Sequence, residues 1–180
     1  MSKIEESLKN APIIKKGDYN YVIHPITDGI PYIEPSLLEE VINKMNIPQC
    51  KRIVTMEAMG IPIATALSLK TGIPFTIIRK RSYGLPGEVS VKQVTGYSSS
   101  NLFINGIEKG DEVVIVDDVV STGGTLVAVV SALKEMGIKI KGIFIAVNKG
   151  NLKEIEGKIG MHINTVVDIE VNGKVKIKHS

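Results

Sequence analysis

The chain has 180 residues, 43% of them apolar and 23% charged, with a formal net charge of +3. That length suits a single domain with a substantial core. So small a net charge gives no reason to invoke nucleic acid as a partner, and no apolar run reaches the ~18 residues that a membrane-spanning helix requires, so no membrane role is expected. Cys50 stands alone, which excludes an intrachain disulfide and points to a reducing compartment. The first residues, Met1-Ser2-Lys3-Ile4-Glu5-Glu6, lack the pattern of a signal peptide. The expected location is the cytoplasm.

In chain order, a short helix is expected from Ile4 to Leu8, in an otherwise irregular arm over residues 1–34. Pro25, Gly29, Pro31 and Pro35 argue against a helix between them. This apolar, irregular stretch suits either an arm lying on the core or a lid over a ligand. A capping box, Ser36-Leu37-Leu38-Glu39, starts a helix that ends before Pro48. Arg52 to Met56 reads as a buried strand, Glu57-Ala58-Met59-Gly60 as a tight turn, Ile63 to Lys70 as a helix closed by Gly72, and Ile73 to Ile78 as a further strand.

Residues 80–105 form a long excursion that begins at the basic triplet Arg79-Lys80-Arg81. Val89, Val91 and Leu102-Phe103-Ile104 flank the polar run Gly96–Asn101, which suggests a hairpin. Long excursions from compact domains are commonly lids over active sites. Val113-Val114-Ile115-Val116 then reads as a strand buried on both faces, ending at Asp117-Asp118. A helix is expected from Thr125, with a stripe of Leu126, Val130, Leu133 and Met136. A strand follows from Ile140 to Val147, then a polar connection over 151–160, and two strands, His162 to Val171 and Lys174 to Ile177, joined through Asn172-Gly173. His24, His162 and His179 match no metal-ligand spacing.

Alternating strands and helices imply an α/β fold on a parallel sheet, with ligands beyond the carboxyl ends of the strands. Asp117 to Thr125 lies at such an end. Gly123 and Gly124 let a backbone approach a phosphate, the open helix start offers N–H groups, and Ser121, Thr122 and Thr125 add hydroxyls. Asp117 and Asp118 accept hydrogen bonds, which suits a sugar diol. A helix cap would account for one such residue, not for two carboxylates, three hydroxyls and two glycines. No Lys precedes Thr125, so the Walker pattern is absent, and so is G-x-G-x-x-G. The residues therefore ask for a phosphate joined to a sugar.

Val113–Leu126 resembles the phosphoribosyl-diphosphate motif of the type I phosphoribosyltransferases. Arg79-Lys80-Arg81 with Leu85-Pro86-Gly87-Glu88 resembles the flexible loop of the branch that includes the adenine enzymes. Glu57-Ala58-Met59-Gly60 stands where the family has its diphosphate loop. Together with Pro25–Pro31 and Gln93–Tyr97, the pattern is similar to the archaeal hypoxanthine/guanine phosphoribosyltransferases.

The resemblance implies a parallel-sheet core with a small N-terminal hood (1–34 on a core of 35–180) and a flexible hairpin loop over the site. It implies magnesium-dependent transfer of 5-phosphoribosyl from its diphosphate to a purine in purine salvage, by a homodimer. Mg²⁺ would rest mainly on substrate oxygens. On this reading Asp117 and Asp118 hold the ribose hydroxyls, and Ser121, Thr122, Gly123, Gly124 and Thr125 hold the 5′-phosphate. Glu57, Ala58, Met59 and Gly60, with Arg79, Lys80 and Arg81, hold the diphosphate. Lys149 contacts the base, and Ile23 and Ile30 belong to the hood over its ring. The well-studied 6-oxopurine enzymes carry a carboxylate where this chain has Ser121. Glu88 is then the candidate for handling the purine proton. Adenine, xanthine or orotate as acceptor, and a non-catalytic sensor of phosphoribosyl diphosphate, remain the alternatives.

Overall fold

The computed structural model describes residues 1–95 and 98–179. The N-terminal arm is more ordered than its composition suggests. It contains α1 (Lys3–Lys9), a hairpin of β1 (Ile13–Lys16) and β2 (Tyr19–Val22), and a one-turn α2 (Pro25–Asp28). The expectation that prolines exclude a helix here fails for a local reason. Pro25 occupies the first helical position, where its missing N–H costs nothing, and Gly29 closes the turn at φ 68°. Buried His24 caps this helix, its ring nitrogen Nδ1 accepting from the Ile26 N–H.

α3 (Pro35–Lys44) also begins differently from expectation. It starts at Pro35 after Glu34, so Ser36 lies inside the first turn and no side chain caps the helix. The capping box that forms is Ser2 with Glu5, at the start of α1. Then follow β3 (Arg52–Met56), α4 (Gly60–Thr71) and β4 (Phe75–Ile78). β5 (Val89–Thr95) and β6 (Ser98–Ile104) pair antiparallel as a separate hairpin. Ser98 to Asn101, expected in a turn, belong to β6. Gly96 and Tyr97 lie outside the described residues.

β7 (Glu112–Val120) carries the central motif, followed by α5 (Gly124–Glu135) and β8 (Lys139–Asn148). The strand does not stop at the carboxylates. It continues beside β8, with Asp117 opposite Ile145 and Val120 opposite Asn148. The connection expected at 151–160 is instead α6 (Leu152–Ile159). Asn151 accepts from the Glu154 N–H to cap it, Ile155 and Ile159 bury one stripe, and Gly160 ends it at φ 73°. Gly157 within it faces open space and does not interrupt the turn. β9 (Ile163–Val171) and β10 (Val175–Lys178) complete the chain.

The main sheet has the order β10-β9-β8-β7-β3-β4, parallel except for β10. Its two faces carry separate cores. Ile53, Val114, Val116 and Phe144 face α3 and α4, whereas Val54, Val113, Ile115 and Ile143 face α5, α6 and the β5–β6 hairpin. Ile4, Leu8, Val22 and Ile26 of the arm join the first of these cores. The arm is thus packed on the core through its apolar side chains.

The turn after β8 packs against the turn after β7. The Lys149 N–H donates to the Val120 carbonyl, and a Cβ on Gly150 would stand 1.9 Å from the Ser121 carbonyl oxygen. Backbone on both sides leaves little room to yield. Gly150→Ala is expected to cost roughly 1–3 kcal/mol and to lower Tm by several degrees in thermal unfolding. Unchanged Tm would contradict the tight approach.

Candidate active site

β3 and β7 are parallel neighbours, so the turns that follow them lie side by side at one edge of the sheet. The first turn presses on the second. A Cβ at Gly60 would meet the Thr55 hydroxyl at 2.1 Å and an Asp117 carboxylate oxygen at 2.8 Å. Only glycine allows this approach.

Two cavities adjoin there. The smaller, about 200 Å³, is lined by Asp117, Val119 and every residue from Val120 to Leu126. No side chain caps α5, so its first N–H groups remain available to an anion. Gly123 enters the helix at φ 78°, and a Cβ there would strike Ile155 of α6 at 2.8 Å. The helix missed in the sequence therefore backs the loop that would hold a phosphate.

The larger cavity, about 450 Å³, is lined by Met56, Glu57, Lys80, Gln93, Ser100, Leu102, Asp117, Asp118, Val119 and Thr125. Asp117 and Thr125 line both cavities. A single ligand with a phosphate at one end and a second charged group at the other could occupy the pair.

Adjacent strand residues point to opposite faces, and the two carboxylates divide accordingly. Asp117 meets Gly60, and one of its oxygens accepts the Asp118 N–H at 2.9 Å. Asp118, 7% exposed, lies within the electrostatic reach of Asp28 and Lys149. Burial raises the pKa of both groups, and the neighbouring Asp118 charge raises Asp117 further. Such a pair is poised to gain from a positive charge placed beside it.

The expected diphosphate group is only partly assembled. Lys80 and Glu57 line the larger cavity. Glu57 accepts from Arg79 Nε at 3.0 Å and from the Lys80 N–H at 2.7 Å, which lowers its pKa. Arg79 is thereby turned to Glu57, and Arg81 stacks over Tyr83 at 5.0 Å. The Glu57–Ala58 peptide is cis. Met59 touches the hood, 3.5 Å from where a Cβ on Gly29 would stand.

Glu88 is placed elsewhere. It accepts from Ser82 Oγ at 2.5 Å, the Tyr83 N–H at 2.9 Å and Asn105 Nδ2 at 2.9 Å. These bonds, that from Ser82 first, pull its pKa to about 2. In this conformation Glu88 clamps its own loop.

Lys149 stands at the hood. Its Nζ lies 5.5 Å from the centroid of the Tyr21 ring, and burial lowers its pKa against the opposing pull of Asp28 and Asp118. Ile23 is half-buried, whereas Ile30 is 56% exposed and not enclosed in this conformation.

Sequence reasoning missed three residues here. Gln93 donates to Thr125 Oγ1 and accepts from Ser100 Oγ at 3.1 Å, which ties the hairpin to the start of α5. Tyr21 and Asp28 bond at 2.5 Å within the arm. Nothing local in the sequence marks them, because their partners are distant or depend on the unexpected α2.

Among the described residues, no three His, Cys, Asp or Glu side chains converge as a metal cage. Among the described residues, no helix is long and apolar enough to cross a membrane.

The comparisons with known proteins agree with this geometry. Residues 36–173 match the phosphoribosyl transferase domain. The chain belongs to the phosphoribosyltransferase family. It is 57% identical to a hypoxanthine/guanine phosphoribosyltransferase of Methanocaldococcus infernus, over 98% of this chain and 100% of that one. It is 55% identical to a protein of the same name from Methanobacterium lacus, over 99% and 96%. Among solved structures, the adenine phosphoribosyltransferase of Thermoanaerobacter pseudethanolicus superposes with a TM-score of 0.75 at 21% identity, over 92% of this chain and 99% of that one. That likeness shows the fold, an α/β phosphoribosyltransferase core.

The raised carboxyls give a pH-dependent prediction for the ligand-free protein. A folded-state pKa above the unfolded value favours folding at low pH, and that stabilisation is lost as pH rises through the folded pKa. Asp117→Asn removes the charge and keeps the shape. It is expected to raise Tm at pH 7–8 by a few degrees (~2–4 °C per kcal/mol) and to give little gain near pH 4. Thermal unfolding across that range checks this. A lower Tm at pH 8 would contradict the buried, like-charged pair.

Proposed function

We propose that this phosphoribosyltransferase joins the 5-phosphoribosyl group of phosphoribosyl diphosphate to hypoxanthine or guanine, releasing diphosphate. The observation that carries the reading is the pair of adjoining cavities sharing Asp117 and Thr125, with a half-buried Lys149 at the hood side. The names of the archaeal relatives support the choice of base.

Ser121 to Thr125 hold the 5′-phosphate through backbone N–H groups and hydroxyls. Asp117 and Asp118 accept from the ribose hydroxyls. As the bond from sugar C1 to the diphosphate oxygen breaks, positive charge grows on the sugar, and the two ionised carboxylates stabilise it. The diphosphate leaves with the bonding electrons, toward the turn Glu57–Gly60 and Lys80. A ring nitrogen of the purine bonds to C1, and its proton passes to the released diphosphate or to solvent water. Lys149 donates to the 6-oxo group, whereas it would face another donor in the 6-amino group of adenine.

The hard oxygen donors Asp117 and Asp118 fit a magnesium ion that rests mainly on substrate oxygens. That ion would neutralise charge on the diphosphate. The cationic loop, clamped by Glu88 to Ser82 and Asn105, closes over the site and keeps water from the sugar. A cytoplasmic homodimer is part of this reading, as the family resemblance implies.

The test is to incubate the protein with Mg²⁺, phosphoribosyl diphosphate and each of hypoxanthine, guanine, adenine, xanthine and orotate, and to follow nucleotide and diphosphate. Product is expected from the first two. Product from adenine alone would overturn the choice of base, and none from any base would overturn the activity. Asp118→Ala is expected to lose about 100-fold or more in kcat while still unfolding cooperatively. Near-normal turnover would remove Asp118 from its role.

A further inference from the structure

The carboxylate of Asp28 is unusually well oriented. Its Oδ2 accepts the His24 N–H at 2.9 Å and the Thr27 hydroxyl at 2.7 Å, and its Oδ1 accepts the Tyr21 hydroxyl at 2.5 Å. Among the described residues Oδ1 takes only that one bond, which leaves it a further lone pair. The same Tyr21 ring carries Lys149 over its face at 5.5 Å. One phenol thus brings a cation from the end of β8 and a carboxylate from the end of α2 to the same side of the site. Burial would raise the Asp28 pKa, but the bonds from Tyr21, Thr27 and the His24 N–H lower it overall, so the group stays ionised at neutral pH.

A 6-oxopurine presents an acceptor at O6 and, beside it, a donor at N1–H. A lysine next to a carboxylate presents the complementary order, donor then acceptor. We propose that Asp28 is a specificity-determining residue for the base, its Oδ1 accepting the N1–H of a 6-oxopurine whose O6 faces Lys149. This rests on the function proposed above. The consequence at C2, the next ring position, follows from charge. The amino group of guanine is attracted to the carboxylate and the C2–H of hypoxanthine is neutral to it. The oxygen of xanthine is repelled. Adenine meets the pair in the wrong order, with an amino group against the ammonium and a bare N1 lone pair against the carboxylate. A site built around such half-buried polar groups disfavours the wrong edge because its own groups are left unpaired.

The alternative is that Asp28 only braces the arm, and the two roles predict different kinetics. Wild type and Asp28→Asn are compared for kcat/KM with hypoxanthine, guanine and xanthine, and for KM of phosphoribosyl diphosphate. The expected result is a guanine-to-xanthine ratio that falls by about tenfold or more in the variant, with KM for phosphoribosyl diphosphate unchanged. An equal loss for every base, or an unchanged ratio, would overturn the proposal. A second measurement needs no variant and decides the matter if Asp28→Asn does not fold. 1-Methylguanine, which lacks the N1–H, is expected to compete with hypoxanthine about tenfold or more weakly than guanine does. Equal competition would overturn the proposal. If wild type makes no nucleotide from hypoxanthine or guanine, the proposed function fails as well, whereas turnover with an unaltered base ranking in Asp28→Asn sinks only the role of Asp28.

Discussion

Two adjacent carboxylates near the end of a buried strand are the constraint on which the rest of the site depends. Asp117 and Asp118 sit in β7, flanked by β3 and β8, and burial opposes their charge. Isolated buried charges are costly unless something compensates them. What surrounds this pair makes sense in that light. Gly60 brings one turn against Asp117 without a side chain between them, and the turn after β8 brings Lys149 into reach of Asp118. The remaining cost falls when a cation is placed beside the pair.

The hydrogen bonds that hold the cationic loop follow the same logic. Glu57 engages Arg79 and the backbone of Lys80, and Glu88 engages Ser82, Tyr83 and Asn105. The first contact joins the ends of β3 and β4. The second ties the loop to itself and to residue 105, just beyond β6. Both carboxylates are exposed enough to be screened by water, so their bonds can exchange for bonds to a ligand at modest cost. The turn from Ser121 to Gly124 is different. It is held by backbone approach at Gly150 and by Ile155 beneath Gly123, and neither contact can be exchanged cheaply. A fixed turn beside an exchangeable cationic loop suits a ligand that is anchored at one end and loses a group at the other.

Several features were legible because they are local. The β-branched run Val113–Val116 marks a strand buried on both faces, and Gly72 and Gly173 mark a helix end and a hairpin turn. Errors arose where a residue's meaning depends on its exact place in a turn. Pro25 excludes a helix interior but starts α2. Ser36 and Glu39 have capping-box spacing, yet α3 begins at Pro35 and places Ser36 inside it. Residues 151–160 read as a polar connection, yet α6 forms there and tolerates Gly157 because Ile155 and Ile159 are buried. Burial outweighs the propensity of one exposed glycine.

By itself the sequence determined the order of the core strands from β3 to β10, the turn of glycines and hydroxyls at Ser121–Thr125 and the carboxylate pair, because each is written in contiguous residues. Only the tertiary structure decided which side each carboxylate faces, that Glu88 is a clamp, and that Tyr21, Asp28 and Lys149 meet at the hood. Those residues are separated by up to 128 positions. Their proximity comes from the arm packing its apolar side chains onto the first core, through Val22 and Ile26, over the end of β7. A contact of that kind is set by the burial of other residues, so the polar groups that use it leave no pattern of their own in the chain.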